Sequence, residues 1–178
     1  MYLYIFLMFE LQEKIKFVFL LLIYSTDWFL FLLFQAWYSL YINCGGKSIT
    51  VDGNKTYDDD SNEMGPARYR QIGENWALIT AGHFFDSGRP DYYTWSNTTK
   101  LAVDNDDPKL YMDARVSPNS LTYYGFCLGN GNYTVKLHFA EIMFSDDKTY
   151  SSIGRRVFDI YIQVHVFSSY LTVPTKFS

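Results

Sequence analysis

A chain of 178 residues has room for one globular domain, which excludes a linked assembly of several catalytic domains. Hydrophobic residues make up 48% and aromatics 20%, with 16 Tyr and 15 Phe, a content that a disordered chain does not carry. The net charge of -4 offers polyanions no general attraction, so nucleic acid is not an expected partner and function has to rest on a local site.

In chain order, residues 1–38 stand apart, because they hold seven of the 15 Phe and are charged only at Glu10, Glu13, Lys14, Lys16 and Asp27. From Phe17 to Tyr38 the chain runs FVFLLLIYSTDWFLFLLFQAWY, 22 residues with one charge, long enough to cross a bilayer as a helix. Lys14 and Lys16 suit its N-terminal flank, whereas Asp27 near its middle costs about 2.5 to 3.5 kcal/mol on insertion scales. Three readings stay open: a signal peptide or signal anchor, a translated non-coding stretch rich in Phe, Leu, Ile, Tyr and Lys, or a soluble core helix.

After Ser39 short alternating segments are divided by Gly, Asn, Asp and Pro clusters, the pattern of antiparallel β structure. Residues 40–53 predict two short strands broken at Gly45-Gly46, where a turn or bulge needs backbone freedom. Further strands are expected at 100–103, 109–116, 121–127, 133–144 and 155–163, a spacing that suits a sandwich or jelly roll. In YTVKLHFAEIMF, Tyr133, Val135, Leu137 and Phe139 share one face, and the alternation slips near Glu141, as a bulge or strand end would make it. Gly129-Asn130-Gly131 predicts a hairpin turn between the strand ending at Cys127 and the one beginning at Tyr133. In RRVFDIYIQ, Phe158, Ile160 and Ile162 face inward, with Asp159 and Tyr161 opposite.

Cys44 and Cys127 are the only cysteines. Behind an apolar leader they read either as a disulfide, worth about 4 kcal/mol for a loop of about 83 residues, or as two buried thiols. Sequons at Asn54, Asn97 and Asn132 are expected glycosylation sites and favour a lumenal or extracellular domain. The histidines His83, His138 and His165 have no metal-site spacing, so no metal or cofactor is expected. Asp58-Asp59-Asp60 and Asp104-Asn105-Asp106-Asp107 lack the Gly and terminal Glu of a calcium loop and read as solvated loop acids. Glu141, Asp159 and Asp113 are the carboxylates from which a glycosidase pair could be drawn, but no phosphate loop or nucleophile elbow is present. Surface aromatics remain: Tyr92, Tyr93 and Trp95 in RPDYYTWSN, with Tyr123 and Tyr124 in LTYYGF, are candidates for stacking on sugar rings, or for plain core packing.

LYINCGG, NWALITAGHFFD, SPNSLTYYGFCLGNGNYTVKLHFAEIMF and GRRVFDIYIQ, in that order, closely resemble the malectin domain found outside the membrane in plant leucine-rich-repeat receptor-like kinases. The resemblance implies a jelly-roll β-sandwich over residues 39–163, incomplete at the C-terminus, between a hydrophobic helical leader at 1–38 and an atypical tail at 164–178. It also implies a non-catalytic, membrane-associated or secreted module that binds glycan or cell-wall carbohydrate; the alternative is a protein-interaction fragment of a receptor ectodomain. The relatives' kinase signature does not occur in this chain. Of the family's sugar-site residues, the Tyr-Phe pair after FAE falls on Met143-Phe144, a tyrosine following an arginine falls on Val116 behind Arg115, and another has Tyr69 as its counterpart. The implied ligand set is therefore Phe144, Tyr69 and Arg115, joined by Tyr123, Tyr124 and Trp95.

Overall fold

The computed structural model describes residues 8–13, 37–84, 93–97, 108–139, 141–142, 157–163 and 165–172. The strands in chain order are β1 (Met8–Glu13), β2 (Ser39–Asn43), β3 (Ile49–Val51), β4 (Lys55–Asp59), β5 (Arg68–Ile72) and β6 (Trp76–Ala81). They continue with β7 (Thr94–Ser96), β8 (Asp113–Arg115), β9 (Ser120–Gly125), β10 (Tyr133–His138), β11 (Val157–Ile162) and β12 (His165–Thr172). The only helix among the described residues is one 3-10 turn, Pro108–Tyr111, so the chain is all-β. A five-stranded sheet has the order β10-β1-β2-β4-β3, a three-stranded sheet the order β5-β6-β9, and β7-β8 and β11-β12 form two-stranded sheets.

Two inner faces meet to make the main core. Leu40, Ile42, Tyr133 and Val135 of the large sheet pack with Trp76, Leu78, Leu121 and Tyr123 of the three-stranded sheet. A second cluster joins Val51, Tyr57, Ala114, Leu110 and Tyr111, with Tyr41 and Trp95 against it, so the β7-β8 unit and the 3-10 turn cover the other side of β2–β4. Phe158 and Ile160 form a third with Leu121, Leu137 and Phe139. Two periodicity expectations are met: Tyr133, Val135 and Leu137 pack inward, and Phe158 and Ile160 are buried while Asp159 and Tyr161 are exposed. Gly45 has φ +81°, and a Cβ there would collide with the backbone of Ala114, so only glycine lets this turn lie against β8.

Other expectations are corrected. Part of the leader is a sheet element, because Met8–Glu13 is β1 and pairs antiparallel with both β10 and β2. Its sequence MFELQE alternates Phe9 and Leu11 with Glu10 and Gln12, the period of a strand. At the other end of the leader Trp37 is bridged to Leu128 rather than helical. Residues 17–36 of the apolar run lie outside the described residues, and no helix among the described residues is long and apolar enough to cross a membrane. The strand expected at 109–116 begins as the 3-10 turn and becomes β8 only at Asp113, while the one expected at 100–103 lies outside the described residues. The Gly129-Asn130-Gly131 turn does not close a hairpin: β9 pairs with β6 and β10 with β1, so the chain crosses from one sheet to the other. Trp37 holds that crossing, its N–H donating to the Cys127 carbonyl and its carbonyl accepting from Gly129 N–H, both at 2.8 Å. Within the tail expected at 164–178, residues 165–172 form β12, paired with β11; that pairing leaves the tail's departure from the family pattern as it was.

Candidate functional site

The most polar point of the interior lies where the layers meet. Asp60, just after β4, and Arg115, at the end of β8, are both fully buried and form an ion pair, Nη2 to Oδ1 at 2.6 Å and Nε to Oδ2 at 3.0 Å. The guanidinium also donates to the Asp60 carbonyl and to the Asn62 carbonyl, and Asp60 Oδ2 accepts from Tyr123 Oη at 2.8 Å and Gly45 N–H at 3.1 Å. Four segments are thereby joined: the β2–β3 turn, the end of β4, β8 and β9. Burial drives the Asp60 carboxyl above its ordinary value, against Arg115 and the hydrogen bonds from Tyr123 and Gly45. Burial, with the Asp60 charge adding to it, pushes the Tyr123 hydroxyl well up, so it stays a neutral donor.

This network corrects two expectations. Asp60 is no solvated loop acid, and its neighbour Asp58 accepts from Trp76 Nε1 at 3.0 Å. The isolated charge on a polar stretch looks solvated only until a partner 55 residues away is brought to it. Arg115 is likewise no ligand-binding residue, since its guanidinium is wholly buried and committed to Asp60 and Asn62. Tyr123 is turned inward, its ring 6.0 Å from that of Trp76, and Trp95 packs against the cluster around Tyr57. Tyr93 is buried, with its ring 5.3 Å from that of Phe84. Phe144 and Tyr92 lie outside the described residues.

The expected Cys44–Cys127 bridge is not formed: Cys44 sits in the core among Leu40, Ile42 and Trp76, while Cys127 is exposed beyond the end of β9 at φ +53°. Asn54 and Asn132 are exposed, whereas Asn97 is half-buried and its amide nitrogen donates to the Ile142 carbonyl at 2.7 Å, which leaves it one further N–H. No group of His, Cys, Asp or Glu able to hold a metal ion occurs among the described residues. Glu141 is buried, Asp159 is exposed on β11, and Asp113 accepts from Ser96 on the β7-β8 unit, so these carboxylates stand on separate segments.

Two expected ligand residues do come together. In the β5-β6-β9 ladder Tyr69 lies opposite Ile79 and Ile79 opposite Thr122; in the next row of the same face Gln71 lies opposite Ala77 and Ala77 opposite Tyr124. Tyr69 is 59% exposed and Tyr124 42%, on the face turned away from the core. Ladder spacing puts their Cα atoms about 12 Å apart across the central strand. The result is a shallow surface with a phenol at two opposite corners, the Gln71 amide and Thr122 hydroxyl at the other two, the half-buried Ile79 in the middle row and Ala77 covered beneath.

Facing sheets sharing one core, pinned by a buried ion pair, define an all-β sandwich. The Malectin domain family model matches residues 38–175, and the chain belongs to that family. Among curated proteins it is similar to a probable LRR receptor-like serine/threonine-protein kinase of Arabidopsis thaliana, 54% identical over 131 residues, covering 71% of this chain and 13% of that protein. A second such kinase from the same plant is 43% identical over 125 residues, with 70% and 12% covered, and a third 45% identical over 133 residues, with 72% and 13% covered. The chain thus spans about one eighth of the length of these relatives. No solved structure matches it significantly.

Proposed function

We propose that the chain is a non-catalytic, extracytoplasmic ligand-sensing module that binds carbohydrate on the outer face of the β5-β6-β9 sheet. The observation that carries this reading is the pair Tyr69 and Tyr124, both exposed on one face on either side of the half-buried Ile79. Flat phenol rings stack on the C–H faces of sugar rings, while Gln71 and Thr122 offer the hydrogen-bonding groups that hydroxyls need. Membership of the malectin family and similarity to receptor-like kinases support placing such a module where extracellular ligands are met.

Calorimetric titration of the whole chain with a panel of glucose-containing oligosaccharides tests it. Saturable binding is expected, weakened about tenfold by Tyr69→Ala and by Tyr124→Ala, the loss of about 1.4 kcal/mol that one stacked ring supplies. A folded sample that binds none of the panel overturns sugar recognition.

A further inference from the structure

A second site lies away from the tyrosine face, at the edge where β2 and β4 part. These strands run parallel but are joined only at Ile42↔Asp58 and Asn43↔Asp59. Residues 39–41 of β2 therefore open on a cleft of about 520 Å³, which the β5–β6 turn lines on its other side. That volume is within the usual range of about 300 to 1,000 Å³ for ligand pockets.

The lining combines three aromatic rings, Trp37, Tyr41 and Trp76, with three carboxylates, Asp58, Asp59 and Glu74, and contains no Lys, Arg or His. Asp59 is already served: partial burial works upward on its carboxyl, but hydrogen bonds from Ser61 and the nearby Lys47 outweigh it. Asp58 spends one oxygen on Trp76 Nε1, and among the described residues neither Asp58 nor Glu74 has an ion-pair partner. A metal ion does not fit, because the described acids do not gather into a metal-holding group. An anionic ligand would be repelled. The protein's own Lys55 ammonium lies 5.9 Å from the Tyr41 ring, so one face in this region already meets a cation.

We infer that the cleft takes the guanidinium or ammonium group of an extended basic peptide. Asp58 and Glu74 would supply charge-assisted hydrogen bonds, Trp37 a ring face for the cation, and the backbone edge of residues 39–41 partners for the peptide main chain. This ligand and this surface are separate from the carbohydrate reading.

The test is titration of the whole chain with the blocked peptide acetyl-Gly-Ser-Arg-Ser-Gly-amide, followed by tryptophan fluorescence and calorimetry. The same peptide with citrulline in place of arginine is the neutral control. Saturable binding of the arginine peptide is expected, about tenfold tighter than the citrulline peptide and weakened by added salt. Asp58→Asn keeps an acceptor for Trp76 Nε1 and removes the charge; Glu74→Gln changes an exposed turn residue. Each should weaken the arginine peptide about tenfold, and Tyr69→Ala should leave it unchanged. Equal binding of the citrulline peptide, wild-type affinity in both charge variants, or no saturable binding by a protein whose circular dichroism shows β structure would overturn the site. Loss of sugar binding alone would count only against the tyrosine face.

Discussion

The two faces of the β5-β6-β9 sheet turn neighbouring residues of one type to opposite uses. Tyr123 points into the sandwich, with its ring near Trp76 and its hydroxyl on the buried Asp60, while Tyr124 points out and is 42% exposed. Nothing in the composition of LTYYGF separates the two; strand alternation does, once the register against β6 is known. A surplus of aromatics is thus a poor guide to a binding surface until each ring is given a face.

The comparison breaks most clearly at the ion pair behind the inner face. Arg115→Ala leaves the Asp60 carboxylate buried without its cation, and we expect a loss of about 3 to 5 kcal/mol in urea unfolding. Replacing both partners with apolar residues of similar volume should recover much of that loss, because desolvation of the pair offsets most of its attraction. A loss below about 1 kcal/mol for Arg115→Ala would mean that the network does not hold the layers together.

A finer test uses the adjacent tyrosines. Tyr123→Phe removes a donor to a buried carboxylate and is expected to cost about 1.5 to 3 kcal/mol, the range for hydrogen bonds to charged groups. Tyr124→Phe, at an exposed position, should stay within about 0.5 kcal/mol of the wild type by the same unfolding measurement. Equal losses in the two variants would erase the distinction between the faces.

The parts of the fold that were legible are those where the period is local and uninterrupted. YTVKLHF and VFDIYI alternate over six or more residues, and the Gly45-Gly46 turn carries its own mark. Strands β4, β5 and β6 were not legible, because KTYDD and RYRQI are mostly polar or charged and WALITA shows no alternation: Trp76, Ala77 and Leu78 are buried in succession. Strand β1 was hidden for the opposite reason, its short alternation lying inside a strongly apolar stretch. Turn chemistry at Gly129-Asn130-Gly131 marks a reversal of the chain without saying which sheet receives it. Of the candidate site, Tyr69 and Tyr124 were named from the sequence, but their shared face follows from β6 lying between them. Asp60 and Arg115 could not be paired at all, for no spacing rule spans 55 residues.

Asp58 offers the smallest effect, and its sign separates it from the inner ion pair. Burial raises its carboxyl above 3.8, and the hydrogen bond from Trp76 opposes that only in part. A raised carboxylate pKa means that the folded state holds the proton more readily than the unfolded chain. The penalty is therefore absent well below 3.8, grows as pH rises through the raised value, and is fully present at neutral pH. Asp58→Asn removes the penalty while keeping an acceptor for Trp76 Nε1, so the variant should be slightly more stable than the wild type at pH 7. Urea midpoints compared across pH should show the advantage shrinking toward pH 3.8. An advantage that grew on acidification would mean that the carboxylate is stabilised in the fold, as expected of a carboxylate already neutralised by a cation; the cleft would then lack the open charge that a basic ligand needs.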